Sequence, residues 1–263
     1  MTENLSLDAI TFDFWDTLVH APDAVSTRAD RASRIQVALA DAGHSVVRDE
    51  LDRSLAVVRD TFDQHWADNR QFTGTHGTAV LLRLLDIELD PDERQLVLDA
   101  FIGTGAAWVP DLTPNVAVTL QALKDLGLRI GIVCDVGLSP SVILRSYLDH
   151  HGVLGQFDHW SFSDEVGAYK PDPFIFAHAL EGLGAPEPSR VAHVGDLRRT
   201  DVAGSRAFGM VSVRYRGSND DVTRPGEGDR SIPAAMELSE IDNHEADHVI
   251  SDHAHLLDVL GLR

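Results

Sequence analysis

The sequence predicts an α/β protein in which a doubly wound parallel sheet is interrupted by an inserted all-helical region. Three observations lead there. From about residue 114 onward, short apolar runs alternate with segments of helical spacing, the pattern of βαβ units. Between residues 21 and 110 the apolar residues recur with helical period instead, and no convincing strand occurs. The first apolar run, Leu7–Phe12, stops at Asp13-Phe14-Trp15-Asp16-Thr17-Leu18, so a carboxylate is delivered to the carboxyl end of a strand, where α/β enzymes present nucleophiles and metal ligands.

In chain order, Leu7–Phe12 is the first expected strand, and Leu128–Cys134, Arg190–Val194, Met210–Val213 and His248–Ile250 are the later ones. Helices are expected over Val116–Leu126, Val142–Leu148, Phe174–Leu183 and Val202–Phe208. Thr113-Pro114, Ser139-Pro140 and Asp172-Pro173 each suggest an N-cap side chain followed by proline in the first helical position. Within the insertion, Ala29, Ala32, Ile35, Leu39 and Ala42 share one helical face, and Leu51, Leu55, Val58, Phe62 and Trp66 share another, with Trp66 expected to pack in the core. Thr78–Ile87 is a third helix, and Asp90-Pro91 with Glu93 is a capping box that opens a fourth. The expected division is a core of residues 1–20 and 111–263 and a helical subdomain of residues 21–110, joined by hinges near His20–Val25 and Ala107–Thr113. Residues 216–245, rich in Gly, Pro, Asp and Ser, read as a surface excursion.

Composition narrows the function classes. A formal charge of −20 speaks against nucleic acid or an anionic membrane surface as partner, since either needs a basic footprint. The single cysteine excludes an internal disulfide. Met1-Thr2-Glu3-Asn4 lacks a basic n-region, and no apolar run approaches the roughly 18 residues of a membrane span, so a soluble cytoplasmic protein is expected. Oligomeric state leaves no trace in the sequence. Only two lysines occur, Lys124 and Lys170, which singles out each.

Asp13 has partners. Arg190–Val194 ends in Gly195-Asp196, and Asp201 follows five residues later, near a helix start. Carboxylates at the carboxyl ends of parallel strands converge in the crevice above the sheet, and an all-oxygen site of this kind suits Mg²⁺. Lys170, held in extended geometry by Pro171, can neutralise such carboxylates or a bound anion. Arg198 and Arg199 either meet a substrate anion or form a solvated pair, and His244, His248, His253 and His255 have no zinc-site spacing, so solvated or capping roles are expected for them.

These motifs, in order Phe12–Leu18, Gly131–Asp135, Lys170-Pro171-Asp172 and His193–Asp196 with Asp201, resemble those of the haloacid dehalogenase-like (HAD) hydrolase superfamily over nearly the whole chain. The helical insertion looks like the family's C1 cap. The resemblance implies a Rossmann-like core and phosphoryl transfer to small phosphorylated metabolites. Asp13 would be the nucleophile, and Mg²⁺ would be held by Asp13, the backbone carbonyl of Trp15 and Asp196, with Asp201 in support. Lys170 would offset the clustered charge, and Trp15, Cys134 and Asp135 would border the substrate.

Two positions depart from the family pattern. Trp15 stands where family phosphatases carry a general acid/base aspartate, and an indole neither protonates a leaving group nor activates water. Asp16, one residue on, is aimed elsewhere and reads as a turn or cap residue. Cys134 replaces the phosphate-binding hydroxyl, with Asp135 adding negative charge beside it. The leading expectation is a Mg²⁺-dependent phosphatase. The alternatives are a catalytically weak or non-catalytic binding protein on the same fold and a dehalogenase-type hydrolase, a branch that places an aromatic residue at position 15 but works without metal.

Overall fold

The computed structural model describes residues 6–20, 24–103, 108–221 and 245–262. The strands are β1 (Ala9–Phe12), β2 (Val19–His20), β3 (Asp111–Leu112), β4 (Arg129–Cys134), β5 (His159–Phe162), β6 (Val191–Gly195), β7 (Val211–Tyr215) and β8 (His248–Ile250). Six of them form one sheet, in the order β5-β4-β1-β6-β7-β8, with every neighbour pair parallel. Period-two alternation sends the side chains of each central strand to opposite layers. Ile10, Phe12, Ile130, Ile132, Ala192 and Val194 enter one apolar cluster, completed by helices α5 (Val116–Asp125) and α6 (Ser141–His150). Ala9, Val133 and Val191 face the other way, onto Ile175, Phe176 and Ala179 of α8 (Pro173–Gly182). Central strands covered on both faces read as continuous apolar runs, which is why they were visible in the sequence.

Helices α1 (Ala24–Asp41), α2 (Arg48–Ala67), α3 (Gly74–Leu84) and α4 (Pro91–Ile102) form the insertion, with an apolar cluster of their own around Ile35, Leu39, Val58, Leu81, Val97 and Phe101. Asp90 Oδ1 accepts from the N–H groups of Asp92 and Glu93 at 2.9 Å, and Glu93 Oε2 accepts from Asp90 N–H at 3.1 Å, so the expected capping box forms. Among the described residues no helix is long and apolar enough to cross a membrane.

Several local expectations are corrected. β5 was not expected; it is an edge strand on which His159 and Trp160 stay half-buried, so it lacks a clean apolar pattern. The paired two-residue strands β2 and β3 sit where the chain leaves and re-enters the sheet domain. α5 starts two residues later than the Thr113-Pro114 pair suggests: left-handed Asn115 (φ 62°) precedes it, and the Thr113 hydroxyl instead donates to the Thr17 carbonyl at 2.6 Å. At α6, Pro140 is itself the N-cap residue, and Ser139 Oγ accepts from Arg31. Asp172 does cap α8, accepting from Phe174 N–H at 2.9 Å. The segment between Gly195 and α9 (Ala203–Ala207) opens with a π-helical turn, Arg198–Val202, so Asp201 lies in that turn and not at a regular helix start. The short helices α7 (Ser163–Val166) and α10 (Leu256–Val259) and the 3₁₀ turns Leu154–Gln156, Pro188–Arg190 and His253–His255 complete the described elements. Residues 21–23 and 107 of the expected hinges and residues 222–244 of the excursion, His244 among them, lie outside the described residues.

Candidate active site

The three central strands β4, β1 and β6 are adjacent, and each is followed by an aspartate: Asp135, Asp13 and Asp196. Parallel register brings them to the same edge of the sheet, since Phe12 pairs with both Ile132 and Val194. Asp196 lies one residue and Asp135 two residues further along than Asp13, whose N–H donates to the Val194 carbonyl at 2.8 Å. Gly195 is required by close packing, because a Cβ there would collide with the Asp201 carboxyl group. Oxygens of Asp13, Asp196 and Asp201 lie within 4.8 Å of one another, and all three side chains are buried.

Lys170 enters this cluster from the loop before α8. Its Nζ is buried and donates to Asp13 Oδ1 at 2.5 Å and Asp201 Oδ1 at 2.6 Å. Burial alone would discharge the lysine, but Asp13, Asp201 and Asp135 hold its pKa well above the usual value. Asp201 shows the reverse balance: burial would raise it, yet Lys170 and His193 keep its carboxyl well below the usual range. Both Asp201 oxygens are filled, Oδ1 also facing His193 Nε2 at 3.1 Å, and Oδ2 accepting from Leu197 N–H at 3.0 Å. His193 had no assigned role in the sequence reading. Its other ring nitrogen meets Thr11 Oγ1 at 2.9 Å, and burial lowers its pKa, so a neutral ring with Nε2–H directed to Asp201 fits the pairing.

Negative charge remains in excess. Burial pushes Asp13 to about 7 despite Lys170, and burial with Asp201, Asp13 and Asp16 pushes Asp196 well above the carboxylate range. Three carboxylates converge here on a single lysine. The donors of the site are hard oxygens, the chemistry that suits Mg²⁺.

A profile of the haloacid dehalogenase-like hydrolase family matches residues 7–209, and a related HAD-hydrolase-like profile matches residues 168–254. The glyceraldehyde 3-phosphate phosphatase of Methanopyrus kandleri is 31% identical over 214 residues, which cover 80% of this chain and 84% of that protein. The chain belongs to the haloacid dehalogenase-like hydrolases. The pyrimidine 5'-nucleotidase YjjG of Escherichia coli is 35% identical over 114 residues, 43% of this chain and only 48% of that protein's length. Among solved structures, a 2-haloacid dehalogenase from Pseudomonas syringae pv. Tomato superposes with a TM-score of 0.63 at 21% identity, covering 97% of this chain and 99% of its own, a likeness of fold.

In this HAD-like hydrolase the two unusual positions have definite surroundings. Trp15 is half-buried, edge-on to Phe14 (5.3 Å between ring centres) and to Tyr147 (6.3 Å). Asp16 takes the left-handed conformation (φ 54°), and its carboxylate meets His20 Nδ1 at 2.6 Å and Asn219 Nδ2 at 2.7 Å, a turn role that matches the expectation. Cys134 is fully buried in the sheet's apolar cluster, and burial with Asp13 pushes its thiol up, so it stays protonated. Asp135 Oδ1 accepts from Lys170 backbone N–H at 2.8 Å.

The insertion contributes more than the sequence suggested. Trp66 does pack on the helical cluster, but its Nε1 also donates to Asp135 Oδ2 at 2.9 Å, and its ring lies 4.0 Å from the Arg199 guanidinium carbon. Arg198 and Arg199 therefore part company: Arg198 pairs with Glu245 at 3.2 Å, while Arg199 is buried beneath the insertion. Tyr169 adds a further tie, its Oη accepting from Phe72 N–H at 3.2 Å. A stripe of apolar residues could reveal that Trp66 is covered; only the fold reveals by what.

Proposed function

We propose that this HAD-like hydrolase is a Mg²⁺-dependent phosphatase of small phosphorylated metabolites, working through an aspartyl-phosphate on Asp13. The observation that carries this reading is Lys170 Nζ, buried and shared between Asp13 and Asp201 beside Asp196. The names of the Methanopyrus kandleri and Escherichia coli relatives, a glyceraldehyde 3-phosphate phosphatase and a pyrimidine 5'-nucleotidase, support the same chemistry.

Asp13, Asp196 and the Trp15 carbonyl would hold the Mg²⁺, which when bound supplies positive charge to the transferring phosphoryl group. Asp201 acts from behind, since its oxygens already orient Lys170 and the Leu197 backbone. An Asp13 carboxylate oxygen attacks phosphorus, and the bond from phosphorus to the ester oxygen breaks. With an indole at position 15, the departing oxygen takes its proton from solvent. Water then attacks the acyl phosphate at phosphorus, releasing inorganic phosphate and restoring Asp13. Lys170 offsets charge throughout. Residues 21–110 act as the cap on a core of residues 1–20 and 111–263, with Trp66 bringing the cap onto Asp135, and Trp15 and Asp135 bordering the substrate, while Cys134, sealed in the apolar cluster, packs behind them. The partner is a small molecule, not nucleic acid, and the acidic charge suits a soluble cytoplasmic enzyme.

The test is a panel of phosphate esters and 2-haloacids, each with Mg²⁺ and with a chelator, on wild type and Asp13→Asn. Ester hydrolysis that needs Mg²⁺ and falls to background in Asp13→Asn is expected. Haloacid turnover that survives the chelator would replace the phosphatase reading with the dehalogenase one.

A further inference from the structure

Two imidazoles meet at the edge of the sheet, far from the carboxylates. His159 opens the edge strand β5, whereas Asp13, Asp135 and Asp196 follow the carboxyl ends of the central strands. Ser161, two residues on, projects from the same face of β5 as His159, and His178 of α8 reaches both. His159 Nε2 stands 3.3 Å from His178 Nδ1, and Ser161 Oγ stands 2.9 Å from that same nitrogen. A neutral ring nitrogen carries one proton or one lone pair, so His178 Nδ1 serves one of these partners well and the other poorly.

The geometry of the pair suits a shared ion. Two imidazole nitrogens that each lie about 2.0–2.1 Å from a tetrahedral ion are about 3.3 Å apart. The ring centres are 4.9 Å apart, with planes at 43°. A straight N–H···N bond of the same length would hold them about 5.6 Å apart. The contact is bent, as two lone pairs aimed at one ion are. A Cβ on Gly182 would come within 2.1 Å of the His159 ring, so that ring rests against the helix backbone and its position is fixed in advance. Both rings are half-buried, which leaves a side open to solvent. Burial, with His178 beside it, pushes the His159 pKa down, so its lone pair is free at neutral pH, the state in which histidine binds metal. Two carboxylates act on the pair electrostatically: Glu181, which is exposed, on His159, and Glu165, itself held by Arg145 and Ser141, on His178.

We infer that His159 and His178 form a binding site for a divalent transition-metal cation such as Zn²⁺, with the Ser161 hydroxyl beside it and water completing the coordination. Imidazole nitrogen favours Zn²⁺ over Mg²⁺, and the all-oxygen set of Asp13, Asp196 and Asp201 suits Mg²⁺, so the two places sort cations by donor type. An ion held here clamps α8, which begins three residues past Lys170, to the edge of the sheet. The inference stands apart from the phosphatase reading, because its test reads binding and not turnover.

The test is calorimetry of Zn²⁺ into the full chain, with Mg²⁺ in excess to occupy the carboxylates, on wild type, His159→Gln, His178→Gln and the distant control His255→Gln. Even an outer partner of a metal ligand is worth about tenfold or more in affinity, so loss of either imidazole should weaken Zn²⁺ binding by at least that factor. His255→Gln should bind as wild type does. Zn²⁺ should raise the melting temperature of wild type and of His255→Gln, and much less that of the other two variants. Nitrogen-15 spectra of the wild-type imidazoles give a signature that needs no variant and decide the matter if one fails to fold. With one equivalent of Zn²⁺, one ring should be bound through Nε2 and another through Nδ1. Absence of Zn²⁺ binding in wild type, weakening in only one of the two histidine variants, or two rings bound through Nε2 overturns the site.

Discussion

The Trp66 indole and the Asp135 carboxylate meet across the seam between insertion and sheet, Nε1 donating to Oδ2 at 2.9 Å, while the other oxygen of Asp135 holds the backbone N–H of Lys170 at 2.8 Å. One side chain therefore ties a helix of the cap to the loop that presents the active-site lysine. Burial lifts the Asp135 carboxyl, and Lys170 and the Trp66 hydrogen bond work against that lift. Cap position and lysine position are coupled through this residue.

Trp66→Phe probes the coupling, because it keeps an aromatic ring for Arg199 and removes the N–H together with the five-membered ring that carries it. Leaving a buried carboxylate short of a donor costs about 1–3 kcal/mol. If that cost falls on the closed arrangement, kcat/KM for phosphate esters drops about tenfold, mostly through KM. Steady-state kinetics on Trp66→Phe check this; unchanged KM would mean that the contact does not hold the cap in place.

Why Asp13 and Asp196 were legible while Trp66 was not follows from what a pattern records. β1 and β6 are buried on both faces, so their apolar runs stop visibly where Asp13 and Asp196 begin. The amphipathic stripe of α2 shows which face is covered but not which element covers it, and Trp66 lies at its far end, where the cover passes from other cap helices to Asp135. β5 escaped because an edge strand of four residues with two half-buried ones has no decisive period. At Thr113-Pro114 the local capping rule lost to tertiary structure: the Thr113 hydroxyl binds the Thr17 carbonyl, and left-handed Asn115 starts the helix. His193 was hidden for a related reason, since a histidine inside an apolar strand discloses no partner until Asp201 folds over it.

Metal binding gives a second prediction. Asp13 and Asp196 are raised by burial and by neighbouring carboxylates, strain that a divalent cation removes. Calorimetry should show Mg²⁺ binding to wild type that weakens at least tenfold in Asp196→Ala. Thermal unfolding should shift upward with Mg²⁺ in wild type and much less in the variant, as expected for a ligand that binds only the folded state. A melting temperature indifferent to Mg²⁺ in both proteins would argue against a metal site here.

A third prediction concerns Trp15. A positioned proton donor is worth about 10² to 10⁴ in rate, and the deficit should be smallest for aryl and acyl phosphates, whose leaving groups depart without a proton. Trp15→Asp should therefore accelerate alkyl phosphate hydrolysis more than aryl phosphate hydrolysis. Trp15→Asn is the control, because it removes the same packing against Phe14 and Tyr147 and adds no titratable group. Equal gains in the Asp and Asn variants, or none in either, would show that position 15 is not a vacant acid position in this enzyme.

The last prediction follows from His253, which the spacing of the C-terminal histidines suggested would be solvated or capping. It is instead fully buried, stacked on Tyr215 at 4.5 Å between ring centres, with Phe12 at 6.1 Å and Nε2 directed to the Thr17 carbonyl at 2.9 Å. Thr17 is four residues past Asp13, so this ring braces the loop that carries the proposed nucleophile. Burial pushes His253 down to about 4, against roughly 6.5 in an unfolded chain. Between those values the unfolded state takes up a proton that the folded state refuses. The stabilising contribution is thus complete above pH 6.5, is lost as pH falls, and reaches its full loss of about 3 kcal/mol near pH 4. Asp252, whose carboxyl is held down chiefly by the Ala254 N–H, stays ionised through most of that window and does not mimic the effect. Denaturant titrations at pH 7 and 4.5 on wild type and His253→Gln check it. The variant keeps a donor for Thr17 but cannot titrate, so wild type should lose about 2 to 3 kcal/mol more than the variant on acidification. Equal losses would assign the acid sensitivity to the carboxylates alone.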